Sequence, residues 1–118
     1  MSARSEGGAA WAPVVRTEDG VPEVRPRWVL DHREHRVVDV REASELRGPL
    51  GALPEVDHVP LAELGAAAAA WDRGAPLVLV CRSGGRSGRG AKELEALGFE
   101  RVASLRGGMT AVRALPAE

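Results

Sequence analysis

The chain holds one cysteine, Cys81. A lone cysteine excludes an intramolecular disulfide, a CxxC redox pair and a cysteine-rich zinc site. Aromatic side chains are scarce as well, with three Trp, one Phe and no Tyr, so a core has to be built mainly from Val, Leu and Ala. Lysine occurs once, at Lys92, and the remaining positive charges are arginines, whose planar forks suit anion recognition better than an ammonium does. Neither sign of charge prevails: 16 basic and 17 acidic residues leave a net charge of −1, which argues against a nucleic-acid binder held by a strong phosphate field. No apolar run approaches the roughly 20 residues of a membrane span. Met1 to Ala12 lack the basic-then-apolar order of a secretory signal. These absences lead to the expectation of a soluble cytoplasmic protein.

What is present suits one domain. The 118 residues are 44% hydrophobic, enough for one core and too few for two domains. Residues 1–20, rich in Gly, Ala, Ser and charge without periodicity, read as a flexible N-terminal tail, leaving 21–118 as the domain; a short strand at Val14 and Val15 is the one alternative there. Pro26 is placed to open a short helix through Leu30. Val37-Val38-Asp39-Val40 predicts a buried strand. Gly48, Pro49, Gly51 and Pro54 punctuate a loop over residues 47–57. His58-Val59-Pro60 follows as a very short strand, and a helix from Leu61 runs through Ala66 to Ala70 toward Trp71, the alanines being strong helix formers. Leu77-Val78-Leu79-Val80 is the most strand-like tetrad. Ala91, Leu94 and Leu97 then mark a helix that Gly98 ends. A strand over Val102 to Leu105, a turn at Gly107-Gly108 and a helix from Met109 to Leu115 complete the chain. This alternation predicts an α/β fold, with a mainly parallel central sheet flanked by helices on both faces.

Ligands of such sheets collect at the carboxyl ends of the strands, and Cys81 directly follows Val80. The next residues, Arg82, Ser83, Gly84, Gly85, Arg86 and Ser87, are small or basic and lead into a helix. The glycines let successive N–H groups turn inward as an anion nest, and the helix directs its positive end at the same spot. Together with the two arginines, these features favour thiolate over thiol and make Cys81 the candidate nucleophile. A plain buried core cysteine is the competing reading, but it has no use for two arginines and two glycines within five residues.

The segment Cys81 to Ser87 resembles the active-site region of single-domain rhodaneses, the thiosulfate sulfurtransferase family, where a cysteine opens a six-residue loop. Val38-Asp39-Val40-Arg41-Glu42 is similar to that family's Asp-Val-Arg strand end. Gly51 to Leu61 resembles its Gly-His-Ile-Pro-Gly-Ala-x-His-Ile-Pro-Leu signature, and Leu105-Arg106-Gly107-Gly108 its Leu-x-Gly-Gly turn. The four motifs stand in order over about residues 22–116. Ala52, Glu55 and Val112 depart from the family's usual His, Gly and Trp. The resemblance implies a Cys81 persulfide, loaded from thiosulfate or a persulfide donor and unloaded to cyanide or a thiol acceptor, small or on a protein, with no cofactor. It implies that loop N–H groups from Arg82 to Ser87 cradle the persulfide, that Arg86 orients an anionic donor with Arg82 as helper, and that Asp39 and Arg41 support the loop.

Two other functions compete. A sulfur-carrier or partner-binding module would keep Cys81 with little turnover. A cysteine phosphatase would need Cys-x5-Arg; here arginine comes at Cys-x4-Arg, and position 87 is Ser. His32 and His35, beside Asp31 and Glu34, lack a third ligand and read as a solvated connection rather than a metal site. His58 is left without a role.

Overall fold

The tetrad Leu77-Val78-Leu79-Val80 has no polar side because both of its faces are covered, as an interior parallel strand requires. In the computed structural model, which describes residues 11–116, it is strand β5 (Leu77–Val80). The other strands are β1 (Val15–Arg16), β2 (Pro22–Val24), β3 (Arg36–Asp39), β4 (Asp57–His58) and β6 (Val102–Leu105), and the sheet order is β1-β2-β6-β5-β3-β4. All pairs are parallel except β1 with β2. Helices α1 (Pro26–Asp31), α2 (Ala43–Leu46), α3 (Leu61–Ala68), α4 (Gly85–Ala96) and α5 (Gly108–Arg113) connect and follow them.

The period of two along the strands divides the core in two. Val78 and Val80 pack with Val37, Ala103 and Leu105 under Val29 of α1 and Met109 and Val112 of α5. Leu77 and Leu79 pack on the opposite face with Val38 and Val40 under Leu64 and Ala68 of α3 and Ala91 and Leu94 of α4. Helices therefore flank both faces, as the alternation predicts. From β3 the chain runs outward to the edge strand β4, whereas from β5 it runs the other way to β6. The carboxyl ends of β3 and β5 thus border the point where strand order reverses, where α/β sheets place their crevice.

Several boundaries differ from the sequence reading. The flexible tail assigned to residues 1–20 is corrected over its second half: Ala12 is buried, and β1 pairs Val15 with Glu23 and Arg16 with Pro22. A two-residue strand is too short to show a period, so composition alone decided that reading; residues 1–10 lie outside the described residues. The alanine helix stops at Ala68. Beyond it, Ala69, Ala70 and Trp71 donate to carbonyls three residues back, a tightened turn that sets Trp71 edge-on to Phe99 at 6.4 Å. Helix α2 was not anticipated. The last helix ends at Arg113 rather than Leu115. Leu97, one of the three residues that marked this helix in the sequence, is the exposed residue just past the end of α4.

Candidate active site

Cys81 leaves β5 into a turn fixed from two sides. The Met109 N–H donates to the Cys81 carbonyl and the Thr110 N–H to the Arg82 carbonyl, each at 2.9 Å, so the start of α5 holds the start of the loop. This approach requires Gly108: at φ +60, a Cβ there would lie 2.5 Å from the Cys81 carbonyl oxygen. Gly84, at φ +111, reverses the chain into α4.

The thiol is buried, and its surroundings oppose one another. Burial is the largest influence and pushes its pKa up; the Ser87 hydroxyl and the N–H groups of Ser87, Gly84 and Ser83 push it down, and together they leave it below the ordinary cysteine value. The Gly84 N–H lies 3.1 Å from Sγ and the Ser87 Oγ 3.4 Å. Ser87 Oγ is also 3.3 Å from the Gly84 carbonyl and 2.7 Å from Ser104 Oγ on β6. Ser87 and Ser104 are both fully buried. Sequence reasoning missed Ser104; its one signal was a lone hydroxyl inside the apolar run Val102-Ala103-Ser104-Leu105.

The two loop arginines differ. Arg86 grips Glu45 of α2 with both terminal nitrogens, at 2.7 and 2.8 Å. The bonds to Arg86 hold the Glu45 carboxyl at about 2, and the bonds to Glu45 raise the Arg86 guanidinium further, with the Cys81 charge adding to the effect. Glu45 Oε2 also accepts from the Glu42 N–H at 3.0 Å, within a capping box in which the Glu42 side chain receives the Glu45 N–H. The spacing of Glu42 and Glu45 was the signal for this helix start, though not for the pairing with Arg86. Arg82, by contrast, is exposed and lines a cleft of about 540 Å³ with Arg41, Ser44, Glu45, Pro49, Leu50 and Thr110.

Asp39 and Arg41 form a buried ion pair. Arg41 Nε lies 2.9 Å from Asp39 Oδ1 and its Nη2 2.8 Å from Oδ2; both side chains are essentially unexposed. The same Nη2 donates to the Gly51 carbonyl at 2.7 Å, tying the strand end to the 47–57 loop. His58 is now placed: its Nε2 donates to the Arg41 carbonyl at 2.7 Å. Of the three departures from the signature, Glu55 adopts φ +57, the left-handed backbone that glycine takes without cost. Val112 is packed into the core. His32 and His35 stack on Trp28, at 4.4 and 5.2 Å.

Fold and site together define an α/β domain that presents a single cysteine at a strand-to-helix turn, ringed by N–H donors. The Rhodanese-like domain profile matches residues 26–115, and the chain belongs to that family. Solved structures agree in fold. A rhodanese-related protein from Thermoplasma volcanium is similar at TM-score 0.69 and 23% identity, over 80% of this chain and 94% of that one. A human single-domain sulfurtransferase is similar at TM-score 0.67 and 22% identity, over 83% and 100%. A NAD-dependent persulfide reductase from A. fulgidus is similar at TM-score 0.56 and 30% identity, over 68% of this chain and 14% of that one. No curated protein gives a significant match. Among the described residues, no helix is long and apolar enough to cross a membrane.

Proposed function

We propose that the chain is a sulfurtransferase that carries sulfane sulfur as a Cys81 persulfide. The observation that carries this reading is the set of donors converging on Sγ: the Ser87 hydroxyl and the N–H groups of Ser83, Gly84 and Ser87. Such fixed dipoles stabilise negative charge at the sulfur without neutralising it. In the first step the Cys81 thiolate attacks the outer sulfur of thiosulfate or of a persulfide. A sulfur–sulfur bond to Cys81 forms, the donor's own breaks, and its electron pair leaves with sulfite or a thiolate. In the second step cyanide or a thiolate takes the outer sulfur and returns Cys81 as thiolate. The chain has no second cysteine, so the persulfide is unloaded by an external acceptor. A cytoplasmic setting belongs to the same proposal, since the cycle needs a reduced thiol.

Intact-mass measurement after incubation with thiosulfate or cysteine persulfide, beside Cys81→Ser, tests it. The expected result is a gain of one sulfur in the wild type, absent from the variant and reversed by cyanide. A folded protein whose free thiol gains no sulfur from either donor contradicts the reading. Turnover with cyanide then separates an enzyme from a carrier.

A further inference from the structure

We propose that Glu45 is a specificity-determining residue that turns the site away from thiosulfate, a small dianion, and toward an organic persulfide; this rests on the sulfurtransfer reading above. Three guanidinium groups stand near the mouth, and the structure occupies two of them. Arg41 is satisfied by Asp39 and the Gly51 carbonyl. Arg86, within electrostatic reach of Cys81, has both terminal nitrogens on Glu45. Glu45 stays ionised throughout the range of thiolate chemistry, so the pair adds little net charge. The Arg82 side chain makes no hydrogen bond or ion pair among the described residues, and it lines the cleft as an uncompensated cation. One uncompensated cation suits one negative charge, and two would be needed to hold a dianion comparably.

The cleft itself supplies the second observation. Its volume of about 540 Å³, with Pro49 and Leu50 as an apolar wall and Ser44 and Thr110 as hydroxyl donors, falls within the size range of small organic ligands. An ion as small as thiosulfate would leave most of it unfilled, whereas a persulfide can lay its carbon chain on Pro49 and Leu50. The transfer balances as follows. The Cys81 thiolate attacks the outer sulfur of RSSH, giving Cys–S–SH and RS⁻. The leaving thiolate takes the electron pair of the broken bond and meets Arg82. The new persulfide then gives its proton to water and is held as the anion.

The test is the rate of sulfur loading on the full chain, by intact mass, from thiosulfate and from cysteine persulfide. Wild type, Glu45→Gln, Arg86→Ala and the double variant are compared. Gln keeps the reciprocal cap of α2, so the helix survives the change. Wild type is expected to load faster from cysteine persulfide. In Glu45→Gln the ratio of thiosulfate to persulfide rates rises roughly three- to tenfold, as expected for freeing one charge near the surface. In the Arg86→Ala background the same change gives no rise, because no guanidinium is released. Faster wild-type loading from thiosulfate, an unchanged ratio in Glu45→Gln, or a rise that persists without Arg86 overturns the inference while leaving Cys81 a sulfur acceptor. Failure of both donors to load the wild type overturns the sulfurtransfer reading itself.

Discussion

Asp39 and Cys81 occupy comparable places on parallel neighbours. Asp39 ends β3 in register with Val80, the residue before Cys81, and both side chains are buried. Their charges are treated in opposite ways. The Asp39 carboxylate meets a whole guanidinium at 2.8 and 2.9 Å. The Cys81 sulfur meets only N–H dipoles and one hydroxyl, the nearest at 3.1 Å, and Arg86, the loop arginine that feels its charge, is committed to Glu45. An anion matched by a full counter-charge is fixed in place and unreactive. One held by dipoles alone keeps its charge available to a substrate. The same carboxyl end of the sheet therefore carries a structural anion and a chemical one, separated by a single strand spacing.

Breaking the structural side should have the largest effect. Arg41→Ala leaves the Asp39 carboxylate buried without its partner and unties the 47–57 loop from β3, and we expect a loss of about 3–5 kcal/mol in denaturant unfolding. A loss below about 1 kcal/mol would show that water reaches Asp39 and that the contrast with Cys81 is weaker than the geometry indicates.

The chemical side is sharpened by its hydroxyl pair. Ser104 has Ser87 Oγ as its partner at 2.7 Å. If Ser104 donates there, the one proton of Ser87 is left for Sγ or the Gly84 carbonyl, and the chained bonds strengthen each other. Removing the Ser87 hydroxyl removes one of the hydrogen bonds that lower the thiol pKa; removing Ser104 weakens the same donor less directly. The sign follows. A lowered pKa keeps thiolate present to lower pH, so both changes move the pH profile of iodoacetamide alkylation upward and slow the reaction at pH 7. We expect Ser87→Ala to move it further than Ser104→Ala, by roughly the worth of a hydrogen bond to a charged group, about 1.5–3 kcal/mol at most. The same lowering favours the folded state above the ordinary thiol pKa and is lost as pH falls through the folded value. A Ser87→Ala profile that superimposes on the wild type would remove Ser87 from the list of charge-stabilising groups.

Much of this arrangement was legible before any coordinates. The two central strands announced themselves by apolar side chains on both faces, and Cys81 by its place between such a strand and a glycine-rich helix start. The fold class followed from alternation alone. What was not legible depended on pairing across the sheet. The short β1 and the four-residue α2 carry too few side chains to show a period. Ser104 becomes meaningful only when β6 lies beside the start of α4. Arg86 read as a free cation because Glu45 is 41 residues away in the chain, and sequence spacing does not report that the two meet. His58 stood unassigned for the same reason, since its partner is a backbone carbonyl.

The smallest expected effect, on Arg86, completes the contrast with Arg41. Both arginines make bidentate bonds to a carboxylate, and by bond length the two pairs are nearly the same. Their surroundings are not: the Arg41 and Asp39 side chains are 1% and 0% exposed, and those of Arg86 and Glu45 are 31% and 28% exposed. Water screens the second pair and solvates whichever partner remains, so Arg86→Ala should cost no more than about 1 kcal/mol where Arg41→Ala costs several. The comparison holds loop chemistry and helix propensity nearly apart from the result, because Arg86 lies in the first turn of α4 and alanine is the best helix former. Equal losses for the two variants, measured by the same denaturant titration, would mean that the mouth of the site is drier than its exposure indicates. The Glu45–Arg86 pair would then be a structural clasp like the one on β3, and the cleft lined by Glu45 and Arg82 would have no charge to release.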